Sequence, residues 1–230
     1  MSTSDTPADH PLAYATPAAF RAGLKARFAA IARADPRYTL TELQRQFAYD
    51  RVLARCFTSV DRDLWVLKGA GALLARLDAN ARHSKDIDLY YAEHATAADD
   101  AVHALRAALD RDLGDYFTFE ITSIGVLQEV AKGRRLHLTA MLGPKPYASF
   151  HVDVVVDTAM TGRPDPVAPL TPLQLEGLAR PAYRAFPLPD HIADKLLAIC
   201  ETHVQAGQTR VSSRVKDLVD IGLIASTHRL

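Results

Sequence analysis

The sequence predicts a mixed α/β (α+β) fold, with a sheet built from the middle of the chain and helices before and after it. Three observations carry this. Short apolar runs with strand-like alternation cluster between residues 64 and 156. Segments with helical spacing of apolar residues flank them on both sides. Glycine turns separate the runs, the pattern of an antiparallel or mixed sheet.

Residues 17–34 and 39–58 read as two helices parted by the breaker Asp35-Pro36. Thr39 or Thr41 can cap the second, and Leu43, Phe47, Val52 and Phe57 supply its apolar positions. Leu64–Leu67 is a short apolar strand, Ala70–Leu77 a small-residue helix, and Asp78-Ala79-Asn80 its stop. Ile87–Tyr91 is the next strand and Ala97–Leu113 an amphipathic helix. Three strands follow, Tyr116–Ile121, Arg135–Leu142 and Phe150–Val156, with turn signals at Gly133 and Gly143-Pro144. Met160–Pro172, with four prolines, reads as a linker, and Leu178–Phe186 as an edge strand. Helices at Asp190–Val204 and Ser213–Ala225, joined by the polar loop Gln205–Ser212, finish the chain. The expected organisation is a disordered tail over 1–16, a core with N-terminal helices over 17–160, and a linker with a helical C-terminal lobe over 161–230.

A chain of 230 residues buries a real core. Its 27 basic and 27 acidic residues cancel, so no global field draws it to nucleic acid and any such contact depends on local patches. Cys56 and Cys200 lie in apolar helical patterns and read as buried thiols, which favours a reducing cytoplasm. The N-terminus has neither the basic nor the apolar region of a signal peptide, and no apolar run is long enough to span a bilayer.

The chemistry concentrates in Lys68–Tyr91. Asp86 and Asp88 alternate with Ile87 and Leu89, so on a strand both acids face one way. Like charges side by side repel unless a cation lies between them, and hard oxygen ligands suit Mg²⁺ together with substrate phosphates. The bland alternative pairs the acids with Lys85 and Arg82 at the surface. Asp153 stands among β-branched residues, either half-exposed with His151 or as a third carboxylate; three acids on adjacent strands can hold two metal ions. Lys195 sits at the edge of an apolar helical face, as a snorkelling lysine or as an ammonium for a triphosphate. Asp217 either pairs with Arg214 at i−3 or positions Lys195 or an acceptor hydroxyl. Lys132, Arg134 and Arg135, with Arg210, Arg214 and Lys216, are the notable basic clusters: solvated faces, or guides for an RNA backbone beside which His137 and Tyr147 stack on a base. Walker A, G-x-G-x-x-G, zinc-ligand and G-x-S-x-G patterns are missing.

Lys68-Gly69-Ala70, Leu73, and then Arg82-His83-Ser84-Lys85-Asp86-Ile87-Asp88 resemble the opening of the AbiEii/AbiGii-type nucleotidyltransferase toxins. This family includes the mycobacterial MenT group and lies within the DNA polymerase β-like superfamily. Asp153 resembles its third strand acid. Ala193-Asp194-Lys195 and Arg214-Val215-Lys216-Asp217-Leu218-Val219-Asp220 resemble its late pattern, in order, over about Leu64 to Ile224. Ala70 departs from the family's Gly or Ser and removes a phosphate-binding hydroxyl. The resemblance implies a polymerase β-like nucleotidyltransferase core with a mixed sheet and a helical C-terminal lobe. It implies Asp86, Asp88 and Asp153 as metal ligands, and Asp86, Asp88, Lys195 and Asp217 as catalytic residues. Lys68, Gly69, Ala70, Ser84 and Lys195 would contact the nucleotide. Ser84 matches a position phosphorylated in some relatives; otherwise it closes the turn before the strand.

The activity so implied is Mg²⁺-dependent transfer of a nucleoside monophosphate from an NTP to an RNA hydroxyl, the tRNA 3′ end. It would block translation in the cytoplasm under control of a cognate antitoxin. Three alternatives stand beside it. One is a same-fold enzyme acting on a small molecule such as an aminoglycoside, which the neutral net charge favours. The second is a kinase-like toxin acting on protein, and the third a non-catalytic binding module.

Overall fold

The computed structural model describes residues 12–77, 84–93, 97–127, 132–200, 202–205, 208–211 and 215–227. Residues 1–11 of the expected tail over 1–16, the helix stop at Asp78–Asn80, and Arg82, His83 and Arg214 lie outside these residues. Within the expected tail, Leu12 is buried and Tyr14 packs on Phe20.

The first helix, α1 (Pro17–Ala34), is capped by Thr16 and buries Phe20, Leu24 and Phe28. The second, α2 (Leu40–Phe57), opens on a capping box in which Thr39 and Glu42 satisfy each other's backbone N–H groups. Leu43 and every residue from Gln46 to Phe57 are buried, so α2 is the central helix of the molecule. Its charged residues need internal partners. Arg55 forks onto Asp115 at 2.9 and 3.0 Å, and Asp50 accepts from the Leu170 and Thr171 N–H groups and the Thr171 and Tyr183 hydroxyls.

The strands are β1 (Trp65–Lys68), β2 (Asp86–Tyr91), β3 (Phe117–Val126), β4 (Gly133–Leu142), β5 (Lys145–Val155), β6 (Asp165–Val167) and β7 (Tyr183–Ala185). They form one seven-stranded sheet in the order β3-β4-β5-β2-β1-β7-β6. It is mixed: β2 runs parallel to β5 and β1 parallel to β7, and the other neighbours are antiparallel. Ile87, Leu89, Leu136, Leu138, Val152 and Val154 share its inner face and are all but inaccessible. Among the helices beside it, α3 (Gly69–Leu77) packs on β1 and β2, while α4 (Ala98–Leu109) and α2 cover β5. The mixed α/β architecture expected from the sequence is the one observed.

Several boundaries differ. The sheet draws strands from both sides of residue 160: the Pro-rich linker contributes β6, and β7 follows it. Leu178–Phe186 contracts to β7, which is an interior strand; β6 is the edge, where Pro166 interrupts no ladder of a central strand. The helix expected to reach Val204 stops at Cys200 as α5 (Leu188–Cys200). Thr202–Gln205 (β8) and Gln208–Val211 (β9) pair as a hairpin in place of the helix end and loop, because β-branched residues alternate with polar ones on both arms. The last helix is α6 (Val215–Thr227). Cys56 is buried as expected, but Cys200 is exposed: α5 buries His191, Lys195 and Ala198, a stripe that Cys200 does not join. Among the described residues, no helix is long and apolar enough to cross a membrane.

Candidate active site

The outer face of the sheet carries a charged row. Strand register aligns Gly125, Arg135, Asp153, Asp88 and Lys68 across five strands, β3 to β1. Paired residues of neighbouring strands face the same side, so the three carboxylates Asp86, Asp88 and Asp153 share one face. Ser84 sits just before β2, buried, with its hydroxyl 2.9 Å from a carboxylate oxygen of Asp86 and 2.8 Å from that residue's carbonyl. The turn into α3 brings the backbone down onto this row. Gly69 has φ +58°, and a Cβ built there would overlap the Asp88 carboxylate. Glycine is required twice over, for the dihedral and for the space.

Burial, and then the charges of Asp86 and Asp153, push the Asp88 carboxyl up to about 6, although Lys68 and Arg135 pull it back. This is a site whose own charges repel, and a cation would relieve the repulsion. Arg135 forks onto Asp153 at 2.7 and 2.6 Å, which raises the arginine's own pKa. Among the described residues, no three His, Cys, Asp or Glu side chains are already gathered as a ligand cage. The donor set nevertheless fits Mg²⁺. Two carboxylates stand at i and i+2 on one strand, a third is in register beside them, and the glycine cradle keeps room against Asp88.

A second cluster lies between α5 and α6. The Lys195 ammonium donates to Asp217 at 2.9 Å and to Asp220 at 2.6 Å, with all three side chains buried. One turn before Lys195, buried His191 is driven down to about 3, chiefly by desolvation and then by Lys195, Arg76 and Lys68. At the start of α5, Asp190 accepts from the Thr161 hydroxyl and from the Thr161 and Gly162 N–H groups. The two clusters meet at Lys68. Its ammonium lies 2.9 Å from Asp194 of α5 and 4.1 Å from the centre of the Phe186 ring.

The structure therefore brings Asp86, Asp88, Asp153, Lys68, Gly69 and Ser84 to one place, with Ala70 buried one step into α3. Lys195 and Asp217 bind each other in the second cluster. The first basic cluster is tied down: Lys132 pairs with Asp157, Arg134 with Asp99 and Arg135 with Asp153. Tyr147 packs edge-on to Phe117 and Phe47 beneath Arg21, which removes it as a base platform, whereas His137 is exposed against His151. Sequence reasoning gave no role to Asp194 or Asp220 and counted Arg135 only as part of a basic run. Asp220, three residues after Asp217, was detectable as its neighbour on one helix face; the Arg135–Asp153 register was not detectable.

The sequence profile described as "Nucleotidyl transferase AbiEii toxin, Type IV TA system" matches residues 51–230, which include every acid and lysine of the two clusters. The chain belongs to the AbiEii nucleotidyltransferase toxin family. Two solved structures from Helicobacter pylori are similar to this AbiEii chain: JHP933 and a protein described by inference as a nucleotidyltransferase. Each is 14% identical with a TM-score of 0.49, covering 83% of this chain and 68% or 71% of its own. No curated protein matches it.

Proposed function

We propose that this AbiEii-family chain is a Mg²⁺-dependent toxin that transfers a nucleoside monophosphate from an NTP to an RNA hydroxyl, the tRNA 3′ end, releasing pyrophosphate. The observation that carries this reading is the carboxylate row, with Asp88 displaced to about 6 beside Asp86 and Asp153. Asp86, Asp88 and Asp153 would hold the metal, which when bound neutralises the triphosphate and activates the incoming oxygen. Lys68, in register with Asp88, and the start of α3, where Gly69 lies against Asp88, suit phosphate. Lys195 serves the triphosphate from the second cluster, its ammonium fixed by Asp217 and Asp220. Such a toxin acts in the cytoplasm and is restrained by a cognate antitoxin.

Support for a single-stranded acceptor comes from the same sheet face. Beyond the acids, β4 and β5 present His137 beside His151, rings 4.0 Å apart, and then Thr139 hydrogen-bonded to Ser149. Rings and neutral hydroxyls suit bases better than phosphates. Ser84 is proposed as the off-switch: a phosphate there would set further negative charge against Asp86. The paired state of Lys132, Arg134 and Arg135 favours a second reading, a small-molecule acceptor such as an aminoglycoside.

The test is incubation with each α-labelled NTP, Mg²⁺ and total tRNA. Label should appear on tRNA with the wild type and be lost with Asp86→Ala. Label on an aminoglycoside but not on RNA decides for the second reading. Phosphate on a co-expressed protein, with neither acceptor labelled, decides for a kinase-like toxin.

A further inference from the structure

Arg135 stands in the middle of the charged row yet belongs to none of the motifs that mark the family. Its guanidinium takes both oxygens of Asp153, at 2.7 and 2.6 Å. An ionised carboxylate offers about four lone-pair sites, and a bidentate arginine takes two of them and offsets the negative charge, so a metal ion must compete for what is left. The two halves of the pair are unequally held. Asp153 is 10% exposed on the central part of the sheet, while the Arg135 side chain is 43% exposed.

The arginine also has somewhere to go. Its register partner on β3 is Gly125, and among the described residues a Cβ built on Gly125 would meet nothing within 4 Å. Among the described residues no packing contact requires glycine there, and none of them fills the sheet surface beside it. We infer that Arg135 is a positioning residue that competes with the metal for Asp153. It neutralises the carboxylate row before metal arrives, and it swings over Gly125 when a divalent cation takes the Asp153 oxygens. The inference rests on the metal-dependent reading above.

The experiment is calorimetric titration of the full chain with Mn²⁺ in the absence of nucleotide, with melting temperatures recorded in parallel. Arg135→Gln should bind Mn²⁺ at least about fivefold more tightly than the wild type, the lower end for coupled sites. Arg135→Lys keeps the charge but cannot fork, so it should also bind more tightly than the wild type. Gly125→Val, which fills the space the guanidinium needs, should bind more weakly. In an Asp153→Asn background, Arg135→Gln should change nothing further, which isolates the pair from a general charge effect. If Arg135→Gln is unchanged or weaker with its melting temperature retained, competition is excluded. If Arg135→Lys matches the wild type, charge alone explains the effect and the inference fails. If neither the wild type nor any variant binds Mn²⁺, the metal-dependent reading itself falls with it.

Discussion

At the scale of single residues, Asp88 and Gly69 depend on each other. The carboxylate lies where a side chain at position 69 would be, and the backbone there holds φ +58°. Gly69→Ala should cost about 1–3 kcal/mol, the range for a strained left-handed residue. It should also displace Asp88, so transferase activity should fall further than the loss of stability measured by denaturant unfolding accounts for. Asp88 gives a second prediction, in pH. Its carboxyl titrates at about 6 when folded, against an ordinary value of 3.8. Between roughly pH 4 and 6 the native state holds a proton that the unfolded chain has lost, so stability from this group is greatest below that window and falls as pH rises through it. Asp88→Asn lacks this term. In metal-free buffer its melting temperature should gain on the wild type from pH 4 to 6, and added Mg²⁺ should remove the gain. Parallel melting curves for the two proteins across that range would dispose of the idea.

At the scale of elements, α5 and α6 are held together by one buried ammonium between two buried carboxylates. Removing the ammonium leaves two uncompensated charges, which costs about 3–5 kcal/mol. Lys195→Met should therefore destabilise the chain by that amount, and Asp217→Asn with Asp220→Asn added to it should restore much of the loss. Restored stability together with restored activity would make the cluster structural; restored stability with activity still absent would place Lys195 or its two carboxylates in the catalytic machinery. How legible these elements were follows from what each depends on. The paired helices α1 and α2 were visible because capping and period are local: Thr39, Glu42 and the Asp35-Pro36 break decide them within a few residues. That Asp86 and Asp88 share one face was visible because i, i+2 spacing on a strand fixes it locally. The partnership of Asp153 with Arg135, and of Lys68 with Asp194, depends on register and on contacts more than 15 residues distant in sequence, which no local spacing encodes. The strand β6 was hidden inside a proline-rich run, because edge strands tolerate the residue that normally argues against a strand.

At the scale of the whole molecule, Leu136, Leu138, Val152 and Val154 are buried on the inner face of β4 and β5, while the acids, His137 and Ser149 lie on the other. The sheet is thus one wall of the core on one side and a charged and polar surface on the other, set by the same alternation. Along that surface the acids on β2 and β5 come first, the His137–His151 pair second and the Thr139–Ser149 pair third, each row two residues further along β4 and β5. Strand spacing puts successive rows about 6.7 Å apart. An acceptor strand whose terminal hydroxyl reaches the acids has its preceding bases over the histidines and hydroxyls. His137 makes the sharpest test, since its ring is exposed and its removal empties no core. His137→Ala should raise the KM for RNA by roughly 5–150-fold, the effect of losing about 1–3 kcal/mol of base stacking. It should leave kcat, the melting temperature and Mn²⁺ binding close to wild type. His137→Phe keeps a stacking ring and should recover most of the affinity, whereas His137→Ala binding RNA as well as the wild type would place the acceptor on another surface.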